Sequence, residues 1–237
     1  MLELLSFGDQ GWGDEMLLAA LMTIAVSLSS VCLGLIIGVI LASFKLSKSW
    51  ILKVIAEIYT TVIRGVPELL VIYLLFFGGS GAVMYFAKMF GYDGYIELNA
   101  FTIGTFAVGA ISGAYSTEVL RGAILAVPKG QFEAGNTLGM SKIHMNLRVI
   151  FPQVARHALP GIGNVWQITL KDTSLISVTA LVEIMRQSKV AAAAEHQPFI
   201  FYTTAIILYL LITTGSNKFF NKAEKTFSKG FVIEESS

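Results

Sequence analysis

The chain has 237 residues, of which 54% are apolar and only 14% are charged. Soluble domains usually carry about 25% charged residues, and a mean hydropathy of +0.68 is high for a soluble fold. The composition therefore indicates a protein embedded in a membrane, and an unusually apolar soluble protein is the alternative. The net charge of +1 gives no reason to expect a nucleic-acid partner.

The sequence offers no set of side chains that an enzyme or a metal site would need. The single cysteine, Cys32, forms neither an internal disulfide nor a thiolate metal site, and the three histidines lack the spacing of metal ligands. The stretch 135–142 has the wrong spacing for a Gly-x4-Gly-Lys phosphate loop. We therefore predict a chain that is not an enzyme, holds no metal or cofactor, and does not itself hydrolyse ATP.

Apolar runs predict an all-α protein with about five transmembrane helices, since about 20 apolar residues cross a bilayer as helix. The predicted spans are 16–44, 55–78, 98–120, 158–182 and 197–217. The second span is expected to end at the cluster Gly78, Gly79 and Gly81. In this division a segment 1–15 precedes the transmembrane domain 16–220, and a tail 221–237 follows it.

Lysine and arginine are unevenly distributed between the predicted loops, and cytoplasmic loops carry the excess of these residues. If the N-terminus is periplasmic, the outer segments hold only three, whereas the cytoplasmic segments hold twelve. The twelve are Lys45, Lys48, Lys53, Arg121, Lys129, Lys142, Arg148, Arg156, Lys218, Lys222, Lys225 and Lys229. The sequence therefore predicts a periplasmic N-terminus and a cytoplasmic C-terminus.

Small residues recur every four positions on two spans, which lets helix backbones approach closely. They are Ser30, Gly34, Gly38 and Ala42 on the first span and Thr105, Gly109 and Gly113 on the third. The spacing predicts close helix packing without identifying the partner helix.

Two opposite charges, Arg64 and Glu68, are predicted one turn apart on the second span. Ionisable groups at membrane depth face protein or water because exposure to lipid is unfavourable, so the two are candidates for an ion pair and for a solute path. Pro67 between them removes a backbone donor and favours a kink.

The fourth span carries a polar stripe, because Asn164, Gln167, Lys171 and Ser174 follow spacings of three and four and share one helix face. Asp172 falls on an adjacent flank. A polar stripe in an apolar bundle is typical of a solute path, and a helix–helix network without solute contact is the alternative.

The loop 121–156 is predicted to form two short helices. The first covers 131–138 after Pro128 and Gly130, Gly139 permits a turn, and Ser141 is the N-cap of the second. In the second helix Ile143, Leu147 and Ile150 are expected on one face, and Pro152 is expected to end it. An interfacial amphipathic helix without a partner is the alternative.

This loop resembles the cytoplasmic motif of type I ABC importer permeases, which reads Glu-Ala-Ala, three residues, Gly, nine residues, Ile, one residue and Leu-Pro. The matching residues are Glu133, Ala134, Gly135, Gly139, Val149, Phe151 and Pro152. The departures are Gly135 for alanine, Val149 for isoleucine and Phe151 for leucine. Stretches 59–67, 113–130 and 158–175 are similar to the polar amino-acid branch, which includes histidine, lysine/arginine/ornithine and opine permeases.

The resemblance implies a bacterial inner-membrane permease that carries a polar or basic amino acid or an opine. It further implies a coupling helix centred on Glu133 and Gly139 that docks on a dimer of a separate ATP-binding subunit, where ATP and magnesium bind. A second permease, similar or identical, and a periplasmic binding protein complete the implied assembly.

Two other classes of membrane protein are alternatives to an importer permease. A secondary transporter or channel that works alone is the first alternative, although five spans are few for it and no inverted repeat is apparent. A membrane-embedded enzyme is the second, and it lacks paired catalytic groups.

Overall fold

The computed structural model describes residues 3–8, 11–92, 94, 99–179 and 181–227. Within these residues every regular element is helical, which confirms the predicted all-α class. The α-helices are α1 (Gly13–Leu46), α2 (Trp50–Gly65), α3 (Glu68–Met89), α4 (Ala100–Leu125), α5 (Lys129–Thr137), α6 (Lys142–Met145), α7 (Phe151–Asp172), α8 (Ile184–Glu195) and α9 (Pro198–Phe227). A π-helical turn joins α6 to α7, and a 3-10 helix, Thr173–Val178, follows α7.

Helices α1 and α4 form the centre of the bundle, and the two predicted stripes of small residues pack against each other there. A Cβ atom at Gly34 would lie 2.7 Å from Cβ of Ser112, and one at Gly113 would lie 2.8 Å from Ile37 Cγ2. These distances leave no room for a methyl group. The stripes therefore identify α1 and α4 as each other's partner, which the sequence did not show.

The second predicted span, 55–78, is wrong as a single helix. The chain breaks between α2 and α3 at Val66 and Pro67, both in extended backbone. Proline lacks the N–H that would continue the α2 ladder, and it disfavours helical backbone at the preceding residue. The expected exit at Gly78 is also wrong, because α3 runs through the glycine cluster to Met89.

The other predicted spans match helices with shifted ends. Helix α7 begins at Phe151, before the predicted 158, and its α-helical part ends at Asp172. Helix α9 continues past the predicted 217 to Phe227. The remainder of the predicted tail, and Leu98 where the third span was expected to begin, lie outside the described residues.

Three of the described helices, α1, α3 and α9, are long and apolar enough to cross a membrane by length and composition. Helices α4 and α7 are less apolar, and α4 is largely covered by its neighbours. A helix shielded from lipid by protein needs less apolar surface, so five crossings stay a prediction for this fold.

One buried carboxylate, Glu183, fixes α8 against the bundle. Its two oxygens accept hydrogen bonds from the backbone N–H groups of Met185 (2.9 Å) and Arg186 (2.6 Å), which caps the start of α8. The hydroxyl of Tyr209 on α9 donates to the same carboxylate at 3.0 Å. Next to it, the N–H of Ile184 donates to Thr23 Oγ1 on α1 at 3.2 Å. Hydrogen bonds therefore connect α1, α8 and α9 at the start of α8.

Candidate functional site

Two interruptions of helical structure lie side by side within the bundle. One is the break between α2 and α3, and the other is the change from α-helix to 3-10 helix after Asp172. Near them Ile72 of α3 and Ile176 of the 3-10 helix share one hydrophobic core with Ile111 of α4. Broken helices inside a membrane bundle leave backbone groups free for solutes or side chains. We therefore expect a functional site next to these interruptions.

Hydroxyl groups stabilise the change of helix type after α7. Thr173 Oγ1 donates to the carbonyl of Leu170, and Ser174 Oγ donates to that of Lys171, both at 2.7 Å. Carbonyls at the end of an α-helix lack partners within the helix. The side chains replace some of the missing backbone donors, so the helix can end inside the bundle.

Four polar side chains meet at the two interruptions, and we call Arg64, Glu68, Tyr115 and Asp172 the central cluster. The hydroxyl of Tyr115 on α4 donates to Glu68 Oε1 at 3.1 Å. The guanidinium carbon of Arg64 lies 5.5 Å from the centroid of the Tyr115 ring, within cation–π range. Asp172 is close enough to Glu68 to interact with it electrostatically.

The expected ion pair between Arg64 and Glu68 is absent from the described part of the chain. The helix break places the two residues on separate helices, α2 and α3, so the spacing of one turn no longer applies. Tyr115 stands between them instead, with its ring toward Arg64 and its hydroxyl toward Glu68.

Asp172 carries an unmet requirement for hydrogen bonds. Its Oδ2 atom is buried, and no donor within the described residues reaches it. Burying a polar oxygen without a hydrogen bond is unfavourable. A donor from outside the chain, either a solute or water, would meet this requirement.

The predicted polar stripe of α7 lies on a different side of the helix from Asp172. Gln167, Lys171 and Ser174 line a cavity of about 380 Å³ between α7 and α9, and Gln167 donates to Asn217 Oδ1 of α9. Asn164, one turn away, is exposed. The structure thus divides the sequence candidates between the central cluster and the α7–α9 cavity.

Tyr115 was missed by sequence reasoning. It lies in the apolar run of the third predicted span, and a tyrosine in such a run is more often a packing residue. Its role depends on the break at Pro67, which turns Glu68 toward α4. No spacing along the chain carries that information.

The loop 121–156 folds around a small core of its own. Val127, Met145 and Ile150 are buried there and pack against partly buried neighbours such as Phe132 and Val154. The predicted first helix is observed as α5. Gly139 then reverses the chain at φ +69°, where the N–H of Met140 bonds back to the carbonyl of Gly135 at 3.0 Å.

The predicted end of the second loop helix at Pro152 is wrong. Ser141 caps the helix as expected, accepting a hydrogen bond from the N–H of His144 at 3.4 Å, but the helix continues without a break into α7. A π-helical turn, in which the N–H of Phe151 reaches the carbonyl of Asn146, widens the helix before Pro152. Proline is tolerated in the first turn of the following α-helix, where its missing N–H is not needed.

The π-helical turn also changes which side chains share a face. Ile150 is buried in the loop core, whereas Ile143 and Leu147 remain exposed at 71% and 64%. The expected common face of these three residues is therefore wrong. Leu138 and Phe151 are also exposed, so the loop presents several apolar side chains outside its core. Glu133 and Ala134 are exposed on α5.

Gly135 is buried against Met145. A Cβ atom at this position would lie 2.6 Å from Met145 Sδ and 2.9 Å from its Cγ. The methionine thus fills the space of the alanine methyl group in the importer motif. The departure from that motif at Gly135 has a local packing cause.

The profile of a protein family described as "Binding-protein-dependent transport system inner membrane component" matches residues 34–225. The chain belongs to this family. It is 52% identical to the nopaline transport system permease protein of Agrobacterium fabrum, over 97% of this chain and 98% of that protein. It is 39% identical to the histidine/lysine/arginine/ornithine transport system permease protein of Escherichia coli, over 93% of this chain and 96% of that protein.

Solved structures agree with the family. A crystal structure of an amino acid ABC transporter with histidines matches with a TM-score of 0.76 at 28% identity, over 91% of this chain and 95% of that one. A methionine ABC transporter matches with a TM-score of 0.70 at 10% identity, over 90% and 96%, which shows the fold alone. The predicted resemblance to importer permeases is confirmed, and the chain is a multi-pass inner-membrane protein. Its relatives are named as permease proteins and not as ATPases.

Proposed function

We propose that the chain is a permease subunit of a binding-protein-dependent ABC importer for a polar or basic amino acid or a derivative of one. Histidine, arginine, ornithine and opines such as octopine or nopaline are the candidates, in line with the names of its relatives. The observation that carries this proposal is the central cluster, where one cation and two carboxylates meet at two helix interruptions inside the bundle.

The chemistry of the central cluster suits a solute with both signs of charge. The Arg64 guanidinium can bind a carboxylate through two parallel hydrogen bonds. Glu68 and Asp172 can accept hydrogen bonds from an ammonium or guanidinium group, and Asp172 Oδ2 has no donor within the described residues. These residues would take over part of the hydration of the solute as it leaves water.

We assign the second polar stretch, Gln167, Lys171 and Ser174 with nearby Asn164, to the same proposed path. An ammonium at membrane depth is unfavourable when it faces lipid. Lys171 is exposed in the α7–α9 cavity, so we expect water or a partner protein on that side. A second permease, either similar or identical, is the partner that this role requires.

The proposed energy source is a dimer of a separate ATPase subunit that binds ATP and magnesium and contacts the loop 121–156. Glu133, Ala134, Gly135, Gly139 and Pro152 are the proposed coupling positions. A loop with its own hydrophobic core moves as a rigid body, and continuous helix from α6 into α7 links it directly to the helix that carries Asp172. Motion of the ATPase would in this way reach the central cluster.

The proposed orientation follows the excess of lysine and arginine, with the N-terminus in the periplasm and the C-terminus in the cytoplasm. A periplasmic binding protein would deliver the solute to the outer side. The loop 121–156 would then face the ATPase.

The test is uptake by the complete transporter in proteoliposomes, with labelled histidine, arginine, octopine and nopaline. We expect uptake of at least one of these only when ATP and the binding protein are both present. Uptake that proceeds without the ATPase would support the alternative, a secondary transporter or channel working alone.

A further inference from the structure

Helix α2 has one polar face, which runs from its first turn to the central cluster. Lys53, Glu57, Thr61 and Arg64 follow one another at spacings of three and four and so lie on this face. All four are exposed, whereas Ala56 and Thr60, toward α4, are buried. The exposed apolar residues of α2, such as Ile55 and Ile58, lie on another side.

Two adjoining cavities follow this polar face. The inner one, of about 350 Å³, is lined by Thr60, Thr61, Arg64, Gly65 and Tyr115 together with Glu57 and Glu118. The second cavity, of about 520 Å³, lies at the N-terminal end of α2. It is lined by Lys45, Trp50, Lys53, Val54 and Arg121 together with the same two glutamates. Glu57 and Glu118 therefore stand where the two cavities meet, and the inner cavity reaches Arg64 and Tyr115 of the central cluster.

Lys45 links the two glutamates. Its ammonium group lies 2.8 Å from Glu57 Oε2 and also forms an ion pair with Glu118. Glu118 has a second cation, because Arg121 Nε is 3.1 Å from its Oε2 atom. The Lys45 side chain is only 6% exposed, whereas that of Glu57 is 67% exposed. Lys45 is therefore held in place by Glu118, whereas the exposed carboxylate of Glu57 can leave the ion pair.

Because Glu57 is exposed, water screens its ion pair with Lys45, and the contribution of this pair to stability is small. If Glu57 leaves Lys45, the ammonium keeps Glu118 as a partner, so the exchange leaves no buried charge without a counterion. Along the helix axis, Glu57 is about 10 Å from Arg64. An extended solute with a carboxylate near Arg64 can therefore bring a cationic end toward Glu57.

We propose that Glu57, which pairs with Lys45 at the junction of the two cavities, is an exit subsite for solutes with an ammonium or guanidinium end. This inference rests on the proposed function, since it assumes a solute that enters at the central cluster. The cation of the solute exchanges with Lys45 on Glu57 as the solute passes to the cavity beside Lys53, which lies toward the cytoplasm in the proposed orientation. A neutral solute of the same shape gains nothing there.

The test uses the complete transporter in proteoliposomes and a pair of solutes that differ in one group. Arginine carries a guanidinium, and citrulline carries a neutral ureido group in its place. The variants are Glu57→Gln and Glu57→Asp, and Glu224→Gln on α9 is the control with the same change of charge outside both cavities. ATPase activity stimulated by the binding protein is measured in parallel.

We expect Glu57→Gln to lower arginine uptake about tenfold relative to citrulline uptake, the scale of one charge-assisted contact. Glu57→Asp should restore much of the difference, and Glu224→Gln should match the wild type. Equal uptake of arginine by Glu57→Gln and wild type would overturn the exit subsite and leave the proposed function intact. An equal loss for both solutes together with lost ATPase stimulation would show a structural role instead. A wild-type transporter that carries none of arginine, histidine, octopine and nopaline would contradict the proposed function itself.

Discussion

At the scale of single residues, Tyr115 connects the two charges that the helix break separates. Tyr115→Phe keeps the ring beside Arg64 but removes the hydroxyl that donates to Glu68 at 3.1 Å. We expect the KM for the transported solute to rise about fivefold, which corresponds to about 1 kcal/mol for one hydrogen bond. Tyr115→Leu, which also removes the cation–π contact, should have a larger effect. Equal KM values for Tyr115→Phe and wild type would show that the hydroxyl makes no contribution to solute binding.

Gly135 destabilises helix α5 but leaves space for the side chain of Met145. Glycine in a helix destabilises it by roughly 0.5–1 kcal/mol relative to alanine, yet a Cβ atom here would lie 2.6 Å from Met145 Sδ. We therefore expect Gly135→Ala alone to weaken binding of the ATPase, because Met145 must leave the loop core. Combining it with Met145→Ala makes room for the new methyl group. Pull-down of the ATPase by both variants measures this, and no recovery in the double variant would count against the packing explanation.

At the scale of elements, the sequence predicts the features that depend on residues close together along the chain. The helix of α5, the turn at Gly139 and the cap at Ser141 follow from neighbouring residues, and all three are observed. Pro67 also acts locally, but its effect was underestimated as a kink. Pro152 was misjudged because a π-helical turn, which no propensity signals, lets the helix continue. The candidate site was half predicted: Arg64, Glu68 and Asp172 were singled out, whereas Tyr115 and Glu57 needed the packing of α2 on α4.

The buried carboxylate of Glu183 attaches helix α8 to the bundle. Tyr209→Phe removes the hydroxyl that donates to this carboxylate at 3.0 Å. Loss of a donor to a buried polar group costs about 1–3 kcal/mol, so the variant should unfold at lower temperature. Thermal unfolding of the purified permease complex in detergent measures this. Tyr202→Phe on the same helix is the control, and an equal loss of stability in both variants would speak against a special role for Glu183.

At the scale of the whole molecule, one continuous helix connects the loop 121–156 with the central cluster. The helix begins at Lys142, passes the π-helical turn and ends at Asp172. In the proposed coupling, a displacement of the loop would be carried along the axis of α7, which contains Pro160 but continues as helix to Asp172. Gly161 of α7 packs closely against Val119 of α4, so the same displacement would reach the centre of the bundle.

The sharpest test of this arrangement is Glu133→Lys. Glu133 is exposed on α5 and takes no part in the loop core, so the change should leave the fold and the central cluster intact. A reversed charge in a protein interface leaves like charges facing each other and is strongly unfavourable. We therefore expect ATP-dependent uptake to fall at least about tenfold, while ATP hydrolysis loses its dependence on solute and binding protein. Binding of labelled solute to the purified complex should stay unchanged, and Glu133→Gln should show a smaller defect. Normal uptake by Glu133→Lys with the ATPase still attached would show that this residue has no part in coupling.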